Sequence, residues 1–147
     1  MVSPEMLRRF PCFAGVGEGL LKQVAMIGEE KSIRKGDLLF REGEDATHLE
    51  IIIEGELDIQ YLLGDGSYQT VDTTVAGDFT LWTSLIEPHI THSMGVARTN
   101  VRVVALDAAK LRTLMEAEPM LGYRIMSAIA GAVSHRLLGA RMQIAAM

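Results

Sequence analysis

A chain of 147 residues suits one compact domain and is short for two. Hydrophobic residues make up 48% and charged residues 22%, so a core can be buried and a disordered chain is excluded. The net charge of −5 argues against a nucleic-acid surface, and Cys12, the only cysteine, excludes an internal disulfide and the cysteine-based zinc spacings.

The first residues, MVSPEMLRRF, lack the apolar run of a signal peptide. Ser3 as N-cap, Pro4 at the first helical position and Glu5 in the first turn predict a short helix over residues 3–9. Pro11 and Gly15 break it. Leu20, Leu21, Val24 and Ile27 restore helical spacing over residues 17–27, and Gly28 closes that segment. Cys12 sits between Pro11 and Phe13, the setting of a buried, inert thiol.

From residue 30 to residue 106 the period changes. Strand-length segments alternate with breaks at Gly36, Gly43, Gly55, Gly64, Gly66, Gly77 and Gly95. Leu57, Ile59 and Tyr61 alternate with Asp58 and Gln60, and the GDGS sequence after them signals a hairpin in which Asp65 serves turn geometry. Glu42, Glu44 and Asp45 read as a solvated acidic turn. Breaks recurring about every ten residues predict a small antiparallel barrel or sandwich.

After Leu106 the helical period returns. Asp107 caps a predicted helix that ends before Pro119. A last helix over residues 120–144 carries Leu121, Ile125, Ile129, Val133 and Leu137 on one stripe, weakened by Gly131 and Gly139. That stripe is expected either to pack back on the barrel or to meet its own copy, and a homodimer through it is the expected assembly. The division is therefore 1–29 helical, 30–106 barrel and 107–147 helical, in a single domain. No stretch reaches 18 unbroken apolar residues, so a cytoplasmic protein without a membrane span is expected.

The motifs LRRFPCFAGVGEGLLKQVA, IRKGDLLFREGEDATHLEIIIEGELDI, Gly77-Asp78-Phe79 and LDAAKLRTLMEAEP resemble the cyclic nucleotide-binding domain family, over nearly the whole chain. The spacing of Gly36, Gly43 and Gly55 is the specific part. The resemblance implies a mainly β fold, a jelly-roll-like double-stranded β-helix with N-terminal helices and a long C-terminal helix. It also implies a regulatory, non-enzymatic role in which a ligand in the segment after Gly77 changes how the C-terminal helices pack.

In that segment the sequence departs from the family. The family's glycine, ribose-binding Glu and phosphate-binding Arg fall on Leu81, Trp82 and Thr91 in the ungapped register; a shift by one puts His92 at the Arg position. No Arg or Lys occurs between Arg41 and Arg98. A buried phosphate needs a cation or a full set of donors, and Thr91 supplies one neutral hydroxyl. Cyclic AMP and cyclic GMP are therefore not expected as ligands. Gly77, Asp78, Trp82, Thr83, Thr91, His92 and Ser93 are the candidate contacts for a different small ligand, with Asp78 capping a short helix. Trp82 is either a stacking platform or, the favoured reading, a residue that plugs the vacated ribose space or packs in the core. His92 can meet an anion when protonated.

His48, His89 and His92 lack a paired His-x-His with a downstream Glu, so no metal is expected. No Ser-His-Asp or Cys-His arrangement is suggested by spacing, and no enzyme or cofactor is expected. The alternatives to a ligand sensor are a ligand-free dimerisation or protein-interaction module, and a transcription regulator truncated before its helix-turn-helix, which by this chain alone would not bind DNA.

Overall fold

The computed structural model describes all 147 residues. Helix α1 (Pro4–Arg8) starts on proline, but the Ser3 hydroxyl donates to the Glu5 carboxylate at 3.0 Å rather than capping the helix N–H groups. A 3-10 turn at Pro11–Phe13 leads to α2 (Glu18–Met26), which buries Leu21, Val24 and Ala25. Burial pushes the Cys12 thiol up to about 12, which keeps it unreactive.

The strands are β1 (Gly28–Ile33), β2 (Leu38–Phe40), β3 (His48–Glu54), β4 (Leu57–Leu62), β5 (Tyr68–Thr74), β6 (Phe79–Thr80), β7 (Met94–Ala97) and β8 (Val101–Asp107). They form two antiparallel four-stranded sheets, ordered β1-β8-β3-β6 and β2-β7-β4-β5. The tight turn between β3 and β4 needs Gly55: it has φ +94°, and a Cβ there would sit 2.3 Å from the Asn100 carbonyl oxygen. In the β4–β5 hairpin Asp65 accepts from the Ser67 hydroxyl and N–H at 2.6 and 2.9 Å, and these bonds hold its carboxyl below the usual range.

Period-2 alternation on two strands separates two cores. Leu49 and Ile51 on β3, with Val104 and Leu106 on β8, face the helices and join a large cluster with Leu7, Phe13, Leu21 and Leu111. Ile52 on β3, with Val101 and Val103 on β8, face inward between the sheets, where they meet Phe40, Leu57 and Ala97.

The Asp107 carboxylate accepts from the Lys110 N–H at 3.0 Å and caps α3 (Ala108–Ala117), as expected. Helix α4 (Pro119–Ala145) follows at once. Here the stripe divides. Leu121, Ile125 and Ile129 are at most 2% exposed and belong to the helical core of their own chain, so they are not a dimer seam. The periodicity was the same for both uses; only the distal residues, including Val133 and Leu137, stay exposed. No helix is long and apolar enough to cross a membrane.

The division has a direct consequence for mutants. Ile129→Ala is expected to lower unfolding stability in urea by about 2–5 kcal/mol with no change in oligomeric state, while Leu137→Ala shifts it by no more than about 0.5 kcal/mol. An Ile129→Ala protein that keeps its stability but changes its association would contradict this placement.

Candidate functional site

The turn before β6 does not build an anion-binding helix end. Gly77, at φ +91°, sends its N–H to the Ile52 carbonyl, and Asp78 accepts from the Val75 N–H at 2.9 Å. Asp78 is thus a turn residue rather than a cap. Neither it nor Gly77 reaches the cavity described next; both line a small apolar gap facing Ala128 and Ala132 of α4. The short 3-10 turn Trp82–Leu85 is preceded instead by Leu81, at φ +59°. A left-handed leucine costs roughly 1–2 kcal/mol, which explains why a glycine is the easier residue at that point.

Leu81 packs into the inter-sheet core, and Trp82 and Leu85 pack against the helical core, so this turn straddles both. Beside it lies a cavity of about 260 Å³. Its walls are mainly apolar: Phe40, Ile59, Tyr61, Leu81 and Trp82. Thr80, Thr83, Thr91, His92 and Ser93 supply its polar edge. Trp82 is therefore a wall of an open space rather than a plug filling it, and its packing against the helical core agrees with the other half of the favoured reading. Five of the seven candidate residues converge here, namely Trp82, Thr83, Thr91, His92 and Ser93. Ile59 and Tyr61 belong to the alternating set on β4, so their shared face was readable; Phe40 and Thr80 carried no signal of their own.

Thr91 lines the cavity but cannot serve it. Its side chain is 3% exposed, its hydroxyl faces the carbonyls of Arg41 and of Glu44 (3.2 Å), and it accepts from the Glu44 N–H at 3.1 Å. Those bonds hold the β2–β3 loop against the β7 approach. The neighbour His92 is exposed at the same cavity, and neither it nor Thr83 or Ser93 has its side chain engaged in a hydrogen bond.

A residue the sequence gave no reason to choose completes the site. Arg136, on α4, places its guanidinium 5.0 Å from the Trp82 ring centroid, on the indole face. The same group pairs with Asp72 of β5 and lies 4.0 Å from Asp78. One side chain of the C-terminal helix thus holds the cavity wall, the adjacent turn and the neighbouring sheet.

On the inner face of β3, the Glu50 side chain is 2% exposed. One carboxylate oxygen lies 3.5 Å from Lys31 Nζ; the other, Oε2, has no partner. Burial pushes this carboxyl up to about 7, and the nearby ammonium only partly opposes that. His48 and His89 line a separate pocket that His92 does not line, and no group of three or more His, Cys, Asp or Glu side chains converges on a metal position.

The sequence profile of the cyclic nucleotide-binding domain family matches residues 30–118. A provisionally named cyclic nucleotide-binding protein from Geobacter metallireducens GS-15, solved at 1.90 Å, superposes with a TM-score of 0.82 at 36% identity, covering 93% of this chain and 99% of that one. A provisionally named potassium channel protein of Rhodopseudomonas palustris is 26% identical over 93% of this chain and 33% of its own length. The CRP-like cAMP-activated global transcriptional regulator of Mycobacterium tuberculosis is 25% identical over 86% of this chain and 56% of its own. The chain thus spans between a third and a little over half of these two curated relatives.

The raised carboxyl of Glu50 sets a pH dependence. Its protonation favours the folded state, so the stability it contributes is present below about 4.5 and is lost as pH rises to about 7. Glu50→Gln is expected to stabilise the protein at pH 8 by on the order of 2–3 kcal/mol and to change it little at pH 5, read as melting temperatures. Equal shifts at the two pH values would contradict a buried, raised carboxyl.

Proposed function

The chain belongs to the cyclic nucleotide-binding domain family, and from that premise we propose that it is a non-catalytic regulatory sensor. Its cavity takes a small, planar, largely apolar ligand in place of cyclic AMP or cyclic GMP. One observation carries this reading: the open space is walled by Phe40, Tyr61 and Trp82, and no Arg or Lys lines it. Aromatic faces favour a flat ligand, while His92, Ser93 and Thr83 supply the few polar contacts that fix orientation. At about 260 Å³ the cavity falls just below the ~300–1,000 Å³ of drug-sized sites, which supports a compact ligand.

The signal passes through Arg136. A ligand that stacks on Trp82 or turns it alters the indole face on which the guanidinium rests. The pairs to Asp72 and Asp78 then carry that change into the position of α4. The far half of α4 presents Leu137, Leu138, Met142 and Ile144 to solvent, each at least half exposed. That face supports a homodimer through the distal helix, and the shared-fold relatives make a protein-regulating output reasonable.

Trp82 is the only tryptophan, so its fluorescence reports on the site. Cyclic AMP and cyclic GMP at micromolar concentration are expected to leave it without a saturable change. Trp82→Glu combined with His92→Arg is expected to create measurable cyclic AMP affinity by calorimetry. A charged hydrogen bond contributes ~1.5–3 kcal/mol, so two such contacts shift affinity by roughly two to four orders of magnitude. Thr91→Arg in the same background is expected to destabilise the fold by about 1–3 kcal/mol instead, because it strips the loop of its bonds. Saturable quenching of the unmodified protein by micromolar cyclic nucleotide would overturn the reading.

A further inference from the structure

The polar groups around the aromatic cavity lie at different depths. His92 is exposed and Thr83 and Ser93 are half-buried, so these three stand toward its mouth. Thr80 lines the same space and is only 2% exposed. It follows Phe79 on β6, and the Phe79 ring belongs to the helical core. Strand alternation therefore turns Thr80 to the other side, between the sheets. Thr91 is as deeply buried, but its hydroxyl is committed to the β2–β3 loop.

No group of the chain bonds the Thr80 hydroxyl. Its cross-strand neighbour is Glu50, of which one oxygen turns to Lys31 and the other has no partner. Two buried side-chain oxygens are both unpartnered and sealed off, Glu50 Oε2 and Ser84 Oγ. Thr80 Oγ1 is not one of them, so it keeps contact with open space, and the space that Thr80 lines is the aromatic cavity. A ligand that displaces water from this hydroxyl loses affinity unless it replaces the bond. The replacing group is neutral. No Arg or Lys lines the cavity, and Glu50 attracts no anion in either protonation state. A cation gains little there, because Lys31 already faces Glu50 at 3.5 Å. An ion of either sign would give up its hydration for one neutral hydroxyl.

We propose that the ligand of this cavity is an uncharged aromatic molecule whose ring carries a hydroxyl or another neutral hydrogen-bonding group, and that Thr80 is the residue that selects it. This inference rests on the reading of the cavity as a site for a planar ligand, and it names the ligand's class. The ring lies among Phe40, Tyr61 and Trp82, and its polar group points inward to Thr80. A hydroxyl both donates and accepts, so Thr80 meets either kind of neutral group.

The test follows the indole N–H resonance of Trp82, the only tryptophan, in the full chain at neutral pH. The probes share one methyl-substituted ring: p-cresol, p-xylene, p-toluate and 4-methylbenzylammonium. p-Cresol is expected to shift the resonance saturably and to bind roughly two- to tenfold more tightly than p-xylene, the effect of one neutral hydrogen bond. Both ions are expected to bind more weakly than p-xylene. Thr80→Val keeps the side-chain shape and removes the hydroxyl. It is expected to unfold at a urea concentration no lower than the wild type, because no bond within the chain is lost. It is also expected to bring p-cresol down to the affinity of p-xylene, while Thr80→Ser keeps the preference. Equal wild-type affinities for p-cresol and p-xylene, tighter binding of either ion, or an unchanged preference in Thr80→Val would overturn the proposal and leave the planar-ligand reading standing. A destabilised or unfolded Thr80→Val would overturn it as well, by showing that the hydroxyl serves the chain. No saturable shift with any of the probes would overturn the planar-ligand reading itself, and this inference with it.

Discussion

The guanidinium of Arg136 is the point on which the arrangement of the site depends. It lies on the face of Trp82, pairs with Asp72 and approaches Asp78, while its own helix is anchored in the core by Leu121, Ile125 and Ile129. Each contact alone is modest: a cation–π contact contributes ~0.5–2 kcal/mol and a partly exposed ion pair less. Their value is that one planar group connects three elements distant in sequence. The proximal half of α4 is buried in the core, Arg136 ties the next part of the helix to the sheet, and Leu137, Leu138, Met142 and Ile144 are left exposed.

The cavity exists because the turn before it is split between two cores. Leu81 enters the space between the sheets and Trp82 lies against the helices, so the chain passes from one core to the other within two residues. That passage requires the left-handed conformation at Leu81. The opening left beside the turn is lined on one side by aromatic residues. On the far side of Phe40, Leu81 and Thr91 is a second space whose lining is polar, with Lys31 and His48 beside three carboxylates. Glu50 reaches that second space because β3 alternates, sending Ile51 to the helical core and Glu50 and Ile52 inward.

Much of the fold was legible in the chain. The glycine breaks marked the β segments, Asp107 marked the start of α3, and the motif spacing pointed to the family that the profile match and the Geobacter metallireducens structure support. The site was legible only in part, for physical reasons. Thr91 reads as a ligand contact in the sequence because its bonds to Arg41 and Glu44 join residues nearly fifty positions apart. Asp78 reads as a cap because the sequence does not reveal that its carboxylate meets the Val75 N–H. Arg136 lies 54 positions from Trp82, beyond the reach of any local pattern. The α4 stripe kept one period throughout, and where the core stops along it is decided by the partner elements.

The central claim is that the space beside Trp82 holds a ligand other than a cyclic nucleotide. Native mass spectrometry of the protein purified gently from its own host addresses that claim most directly, with Ser93→Trp as a variant that fills the space. The account predicts a retained small-molecule mass on the wild-type protein, distinct from cyclic AMP and cyclic GMP, that is absent from Ser93→Trp. A wild-type protein that carries only a cyclic nucleotide, or that emerges at its bare polypeptide mass under conditions gentle enough to keep its assembly, would contradict it.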